Sequence, residues 1–355
     1  MIEDKAIFRV RRTLAPIMSI PSTSMELVAP AGSLAALKAA LTAGADAVYV
    51  GLKNGTNARN FAGLNFDTQS LRQGIELAHS LHKRVLFAIN TYPQPGRTAE
   101  WHEAIDQAVL LGADAIILAD PGLLRYARDR YPDLRLHLSV QGSATHADSI
   151  ALMHEQFGIQ RVVLPRVLTL REIARIIESS PVEIEVFGFG SLCVMAEGRC
   201  LLSSYATGDS PNNKGVCSPA HAVRWAEKNQ HLEARLGGVM IDNYGPGENA
   251  AYPTLCKGRF EVEGEFDHAL EEPTSLNAIG LLPQLVEMGV AALKIEGRQR
   301  SPAYVSQVVQ VLRAAVDAAC GNPHRYSVRP EWQARLAAQA EGAQVTQGAY
   351  ERPWK

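Results

Sequence analysis

The stretch Gly112-Ala113-Asp114-Ala115-Ile116-Ile117-Leu118-Ala119-Asp120 decides the fold class. A helical pattern over Thr98–Leu111 stops at a glycine, the residue that most readily ends a helix in a left-handed turn. A short apolar, β-branched run follows at once, and that is a strand signal. Gly44-Ala45-Asp46 before Ala47–Gly51 and Met288-Gly289-Val290 before Ala291–Glu296 repeat the same grammar. Strands that alternate with helices give βα units and a parallel sheet.

Working outward, similar runs occur at Glu26–Ala29, Val85–Asn90, Leu134–Val140, Arg161–Leu164 and Val182–Phe189. Helical patterns lie at Ser33–Ala43, Asp67–His82, Asp148–Phe157 and Thr169–Glu178. About eight strands predict an α/β protein built as a (β/α)8 TIM-like barrel, with some distortion allowed. Roughly a hundred residues from Gly190 to about Val290 separate the seventh strand from the last, far more than an ordinary βα loop. That insertion leaves from the C-terminal face, where barrel enzymes place their sites. The expected organisation is an N-terminal extension of weak structure over 1–24, barrel strands one to seven over 25–190, the insertion over 191–289, the last strand and helix over 290–322, and a polar tail over 323–355. Met25 reads as the start of the folded unit.

Of the 355 residues, 46% are hydrophobic, 20% charged and 6% aromatic, and the formal net charge is −2. This is the composition of an ordinary globular protein. A nucleic-acid binder usually carries a basic excess, so no nucleic-acid partner is expected. No apolar run approaches the roughly 20 residues that cross a bilayer, and no secretory leader is evident. A cytoplasmic location is the expectation. Five cysteines, an odd number, do not read as a disulfide framework.

Four of those cysteines fall in the insertion: Cys193, Cys200, Cys217 and Cys256, spaced Cys-x6-Cys-x16-Cys-x38-Cys. Structural zinc sites usually pair their ligands in close knuckles, which are missing here. Iron–sulfur clusters accept four thiolates at freer spacing. Gly190, Gly198, Gly208, Gly215 and Gly258 let backbone amides approach, and Arg199, Lys214, Lys257 and Arg259 supply positive charge nearby. A zinc site, or cysteines that are merely buried, also satisfies the pattern. Cys320, on a late helix with Ala318 and Ala319, reads as packing.

The segment Phe187-Gly188-Phe189-Gly190-Ser191-Leu192-Cys193-Val194-Met195-Ala196-Glu197-Gly198-Arg199-Cys200, followed by Ser203-Ser204-Tyr205, resembles the signature of the collagenase-like peptidase family. So do Glu26-Leu27-Val28-Ala29-Pro30-Ala31-Gly32, Asn65-Phe66 after Arg59, Arg161-Val162-Val163-Leu164-Pro165-Arg166, and Lys294-Ile295-Glu296-Gly297-Arg298. The resemblance runs from Met25 to about Ala319. Gly51-Leu52-Lys53, Thr56-Asn57-Ala58-Arg59, Glu271-Glu272-Pro273-Thr274-Ser275-Leu276-Asn277 and Gly297-Arg298-Gln299-Arg300-Ser301-Pro302-Ala303-Tyr304-Val305 resemble its UbiU branch, the ubiquinone-biosynthesis subunits. That resemblance implies a [4Fe-4S] cluster on Cys193, Cys200, Cys217 and Cys256. It implies a heterodimer with a UbiV-like subunit, and oxygen-independent hydroxylation of the aromatic ring of a ubiquinone precursor with prephenate as hydroxyl donor. A sibling enzyme that hydroxylates RNA, and an iron–sulfur electron-transfer or scaffold subunit, are the alternatives. A peptidase is the weakest of them, because neither a Gly-x-Ser-x-Gly elbow nor a His-Glu-x-x-His helix occurs.

At the expected strand ends stand Arg59, Asn90, Asp120, Gln141 and Arg166, with Glu296 and Arg298 at and just after the last strand. Such groups converge on one face of a barrel. Arginine suits a dicarboxylate because its planar fork pairs bidentately. Arg59, Asn90, Gln141, Arg166, Glu296 and Arg298 are therefore the candidate substrate residues. Lys294 and Glu296 point to one side of their strand and are candidates to pair with each other. His82, His146 and His221 read as surface or satisfied histidines.

Overall fold

The computed structural model describes residues 24–61 and 63–352; the expected extension over 1–24 lies outside them apart from Ser24. The strands come in the order read from the sequence: β1 Glu26–Pro30, β2 Ala47–Val50, β3 Arg84–Ile89, β4 Ala115–Leu118, β5 Leu136–Leu138, β6 Arg161–Val163 and β7 Glu183–Ser191. The insertion adds a three-stranded antiparallel sheet, β8 Val223–Lys228, β9 His231–Leu236 and β10 Val239–Tyr244, and a hairpin of β11 Arg259–Val262 with β12 Glu265–His268. Then come β13 Ser275–Asn277, β14 Ala292–Ile295 and β15 Val345–Thr346. β14 lies parallel to both β1 (Leu27 opposite Leu293) and β7 (Val186 opposite Leu293), so strands β1 to β7 and β14 close an eight-stranded parallel barrel.

The aspartate of the Gly-Ala-Asp motifs has a further role. Asp46 Oδ2 accepts from Leu27 N at 2.9 Å and Asp114 Oδ2 from Val85 N at 2.7 Å. Each carboxylate thus satisfies the amide of the preceding barrel strand, an edge group that would otherwise lack a partner. The glycine does what the sequence requires of it: Gly112 caps Ala99–Leu111 at φ 90°. A helix at Pro121–Arg130, capped by Asp120, went unread because its pattern is mostly polar.

Alternation along the strands sends Leu27, Val48, Val85, Phe87, Ile116 and Leu293 outward to the helices. Val28, Ala47, Tyr49, Leu86, Ala115, Ile117 and Ala292 form a separate cluster in the barrel interior. Below them the interior is ionic. Glu185, fully buried, accepts from Lys294 Nζ at 2.6 Å and Arg161 Nη1 at 3.3 Å, and Arg161 also binds Glu26 at 2.7 Å. Lys294 therefore pairs with Glu185, one strand away, and not with Glu296, two residues along its own strand. Burial alone would raise the Glu185 carboxyl, but Lys294 and then Arg161 outweigh it and hold it below the usual range. Glu185→Gln leaves buried Lys294 without a counter-ion, while Arg161 keeps Glu26 and Glu183, and stranding that charge costs about 3–5 kcal/mol. The expected result is a clear drop in the urea midpoint at neutral pH. The gap to the parent should narrow as acid protonates Glu185, because a carboxyl lowered in the folded state stabilises only while ionised.

The insertion is tied into the barrel. β7 runs past the rim to Ser191, and β13 pairs with that extension antiparallel, Ser275 opposite Ser191 and Asn277 opposite Phe189. β15 then adds to β13, Ser275 opposite Val345. Tyr350, buried, donates its hydroxyl to Phe187 O. Of the residues expected to form a polar tail, Val345 and Thr346 thus extend the sheet and Tyr350 packs onto β7. A two-residue strand and one buried tyrosine are too little to leave a periodic signal. Among the described residues no helix is long and apolar enough to cross a membrane.

Candidate functional site

The β7 extension delivers Cys193 to the barrel mouth. The next turn packs on the loop after β5: Gly198 sits at φ 87°, and a Cβ there would lie 2.0 Å from Gln141 O. No other residue fits that position. Cys200 follows, just before the helix Leu202–Thr207, whose first amides, of Leu202 and Ser203, favour its thiolate. Gly215, at φ 83°, lies against Asn57 O, and its own carbonyl accepts from Arg59 N at 2.6 Å. Cys217 comes two residues later. Cys256 stands in a single 3-10 turn, Leu255–Lys257, with Thr254 Oγ1 3.4 Å from its sulfur.

All four cysteines line one cavity, and all are free thiols. Arg59, Asn90, Gln141, Arg166, Glu296 and Arg298 line the same cavity. Burial pushes the Cys193 thiol up to about 12, with Glu197 adding to the shift and Arg166 opposing it. Burial also raises Cys200 and Cys256. Cys217 acts electrostatically on each of the other three. The thiols do not meet at a point: among the described residues no three His, Cys, Asp or Glu side chains are placed to hold a single metal ion. The four thiols instead line the wall of one shared space. Thiolate ligation needs amide donors and positive charge around the sulfurs, and both are present.

The six candidates differ in how they are engaged. Asn90 has a positioning role, since Oδ1 accepts from Ala58 N at 2.9 Å and Nδ2 donates to Ser139 Oγ at 2.9 Å. Arg166 Nε binds Glu197 Oε1 at 2.6 Å, and its guanidinium lies 4.6 Å above the Phe187 ring. Arg59 Nε binds Glu296 Oε1 at 3.3 Å, while Glu296 Oε2 accepts from Ser191 N at 3.3 Å. Burial would raise the Glu296 carboxyl, but Arg59 and Arg166 hold it low, so it is ionised. Arg59 and Arg166 thus already have carboxylate partners. Gln141 Oε1 is buried without a partner.

Arg298 is different. Its Nη1 donates to Asn57 Oδ1 at 3.0 Å, its Nε has no partner, and it lies 5.6 Å from the Tyr49 ring. Among the described residues it is the cavity cation without a carboxylate in ion-pair range; Arg59, Arg166 and Lys294 each have one. Burial pushes its guanidinium down to about 10, Tyr49 partly offsets this, and Arg59 adds to it. It remains protonated at neutral pH, charged and 4% exposed. Sequence reading passed over Glu197, whose second oxygen is buried and unpartnered. It lies four residues after Cys193, inside the quoted signature, but one more glutamate carries no periodic mark.

The profile of peptidase family U32 matches residues 32–353. The chain belongs to peptidase family U32. Within the family it is 36% identical to tRNA hydroxylation protein P of Escherichia coli over 84% of this chain and 69% of that one. It is 32% identical to tRNA hydroxylation protein P1 of Bacillus subtilis over 86% and 66%. A more distant relative, the 23S rRNA 5-hydroxycytidine C2501 synthase of Escherichia coli, is 28% identical over 85% of this chain and 40% of that protein. The chain therefore spans about two thirds of the first two relatives and less than half of the third.

Proposed function

We propose that this chain is a hydroxylating enzyme that holds a [4Fe-4S] cluster on Cys193, Cys200, Cys217 and Cys256 and takes its hydroxyl group from a small carboxylate donor such as prephenate. The observation that carries this reading is the single cavity in which four free thiols and one carboxylate-free arginine face each other. Such a cluster would supply redox or Lewis-acid chemistry beside the donor. Arg298 would bind the donor's carboxylate, Arg59 and Glu296 would fix one wall, and the Arg166–Glu197 pair would hold the loop that carries Cys193.

The names of the relatives favour RNA as the hydroxyl acceptor. The expectation of no nucleic-acid partner is revised accordingly, since a net charge of −2 describes the whole chain and not one face. A second reading keeps the ring of a ubiquinone precursor as acceptor and a UbiV-like subunit as partner. Its support is the Glu271–Asn277 and Gly297–Val305 motifs, the second of which contributes Arg298 to the cavity.

Cells lacking the gene, grown without oxygen, separate the two. Loss of a hydroxylated pyrimidine from tRNA or rRNA, read by mass spectrometry of nucleosides, supports the RNA reading. Loss of ubiquinone with unchanged RNA supports the second. If both pools match the parent, the chain is not a hydroxylase of either kind.

A further inference from the structure

The cysteines are reached from two sides. A second, outer cavity shares Arg59, Arg166, Cys193, Cys217, Thr254 and Cys256 with the inner one. Its own lining includes the aromatic Phe61 and Tyr252 and the polar Gln299, Arg300 and Glu341. The two rings meet edge to face, centroids 6.1 Å apart at 76°. Tyr252 is 40% exposed, and its hydroxyl donates to Ser218 O at 3.1 Å, one residue from Cys217. Behind the pair a groove continues along Trp225, itself 45% exposed.

Arg59 is one of the residues that line both chambers. It adopts φ 74°, a conformation uncommon for a residue with a side chain. Three bonds fix it there: Arg59 N to Gly215 O at 2.6 Å, and Arg59 O from Phe61 N at 3.0 Å and Asn65 Nδ2 at 3.1 Å. The same turn that aims the Arg59 guanidinium at Glu296 therefore places the Phe61 ring outside.

The inner chamber is lined by buried ions and suits a small charged molecule. The outer one has exposed aromatic faces and space beyond them, and suits a flat ring that belongs to a larger body. We propose that the outer groove is the acceptor subsite, where a planar ring stacks on Tyr252 with Phe61 at its edge, beside the cysteines, while the carboxylate donor occupies the inner chamber. This rests on the hydroxylase reading. The ring chemistry is common to a nucleobase and a quinone precursor, and the arms of the test tell them apart.

The test uses the full chain prepared without air, as parent, Tyr252→Ala and Tyr252→Phe. Iron content and visible spectrum report the cluster, prephenate titration reports the inner chamber, and unmodified tRNA and a prenylated phenol are the acceptor probes. Tyr252→Ala should bind one acceptor probe about ten- to a hundredfold more weakly, with iron and prephenate affinity as in the parent, and Tyr252→Phe should restore it. The probe that responds identifies the source of the ring. Unchanged binding of both probes by Tyr252→Ala, loss of prephenate affinity along with the probe, or binding of neither probe by the parent overturns the proposal. A parent without iron overturns the hydroxylase reading itself, a separate result.

Discussion

Alanine at any one of Cys193, Cys200, Cys217 or Cys256 is expected to remove most of the iron from protein prepared without air, while Cys320→Ala keeps it. The parent should be brown and carry close to four irons per chain. Each of the four is a free thiol on the shared cavity, whereas Cys320 packs against the helical side of the barrel core. Loss of one ligand leaves three thiolates around a cluster that needs four, and no other cysteine among the described residues lines the cavity to replace it. Metal analysis beside the visible spectrum decides: stoichiometric zinc without iron, or full iron in any of the four variants, defeats the cluster assignment.

Arg298→Ala and Arg166→Ala should fail in opposite ways. Arg298 has no carboxylate to leave stranded. Its removal should weaken prephenate binding by about ten- to a hundredfold, the worth of a charged hydrogen-bonded contact of roughly 1.5–3 kcal/mol, with little change in stability. Lysine there should rescue only in part, because it cannot bind bidentately. Arg166→Ala strands Glu197, 6% exposed, and an uncompensated buried charge costs about 3–5 kcal/mol. Its signature should be a lower melting temperature. Calorimetric titration and thermal melts of the two variants check the contrast; equal prephenate affinity in Arg298→Ala and parent would remove Arg298 from the site.

The barrel was legible because its units are local. Gly112-Ala113-Asp114 stops a helix and Ala115–Leu118 starts a strand within nine residues, and the structure keeps both. The rim residues were legible as a set for the same reason, since strand ends in a parallel barrel must converge. Their partners were not. Arg166 finds Glu197 at a separation of 31 residues and Arg59 finds Glu296 at 237, and nothing periodic marks which rim cation will be left without a carboxylate. Lys294 and Glu296 show the limit in small compass. They point to one side, yet Lys294 binds Glu185 on the adjacent strand β7 and Glu296 binds Arg59 in the loop after β2.

The junction of β7, β13 and β15 has a consequence for the order of assembly. Lys257, beside Cys256, is buried with its ammonium on Ser191 Oγ at 3.2 Å and Glu341 Oε2 at 2.5 Å, and Tyr350 locks onto Phe187. Part of the outer wall of the cysteine chamber, including Gln299, Arg300 and Glu341, is therefore built from residues the ribosome makes after every barrel strand. A nascent chain can close its eight strands and still present that chamber open on one side.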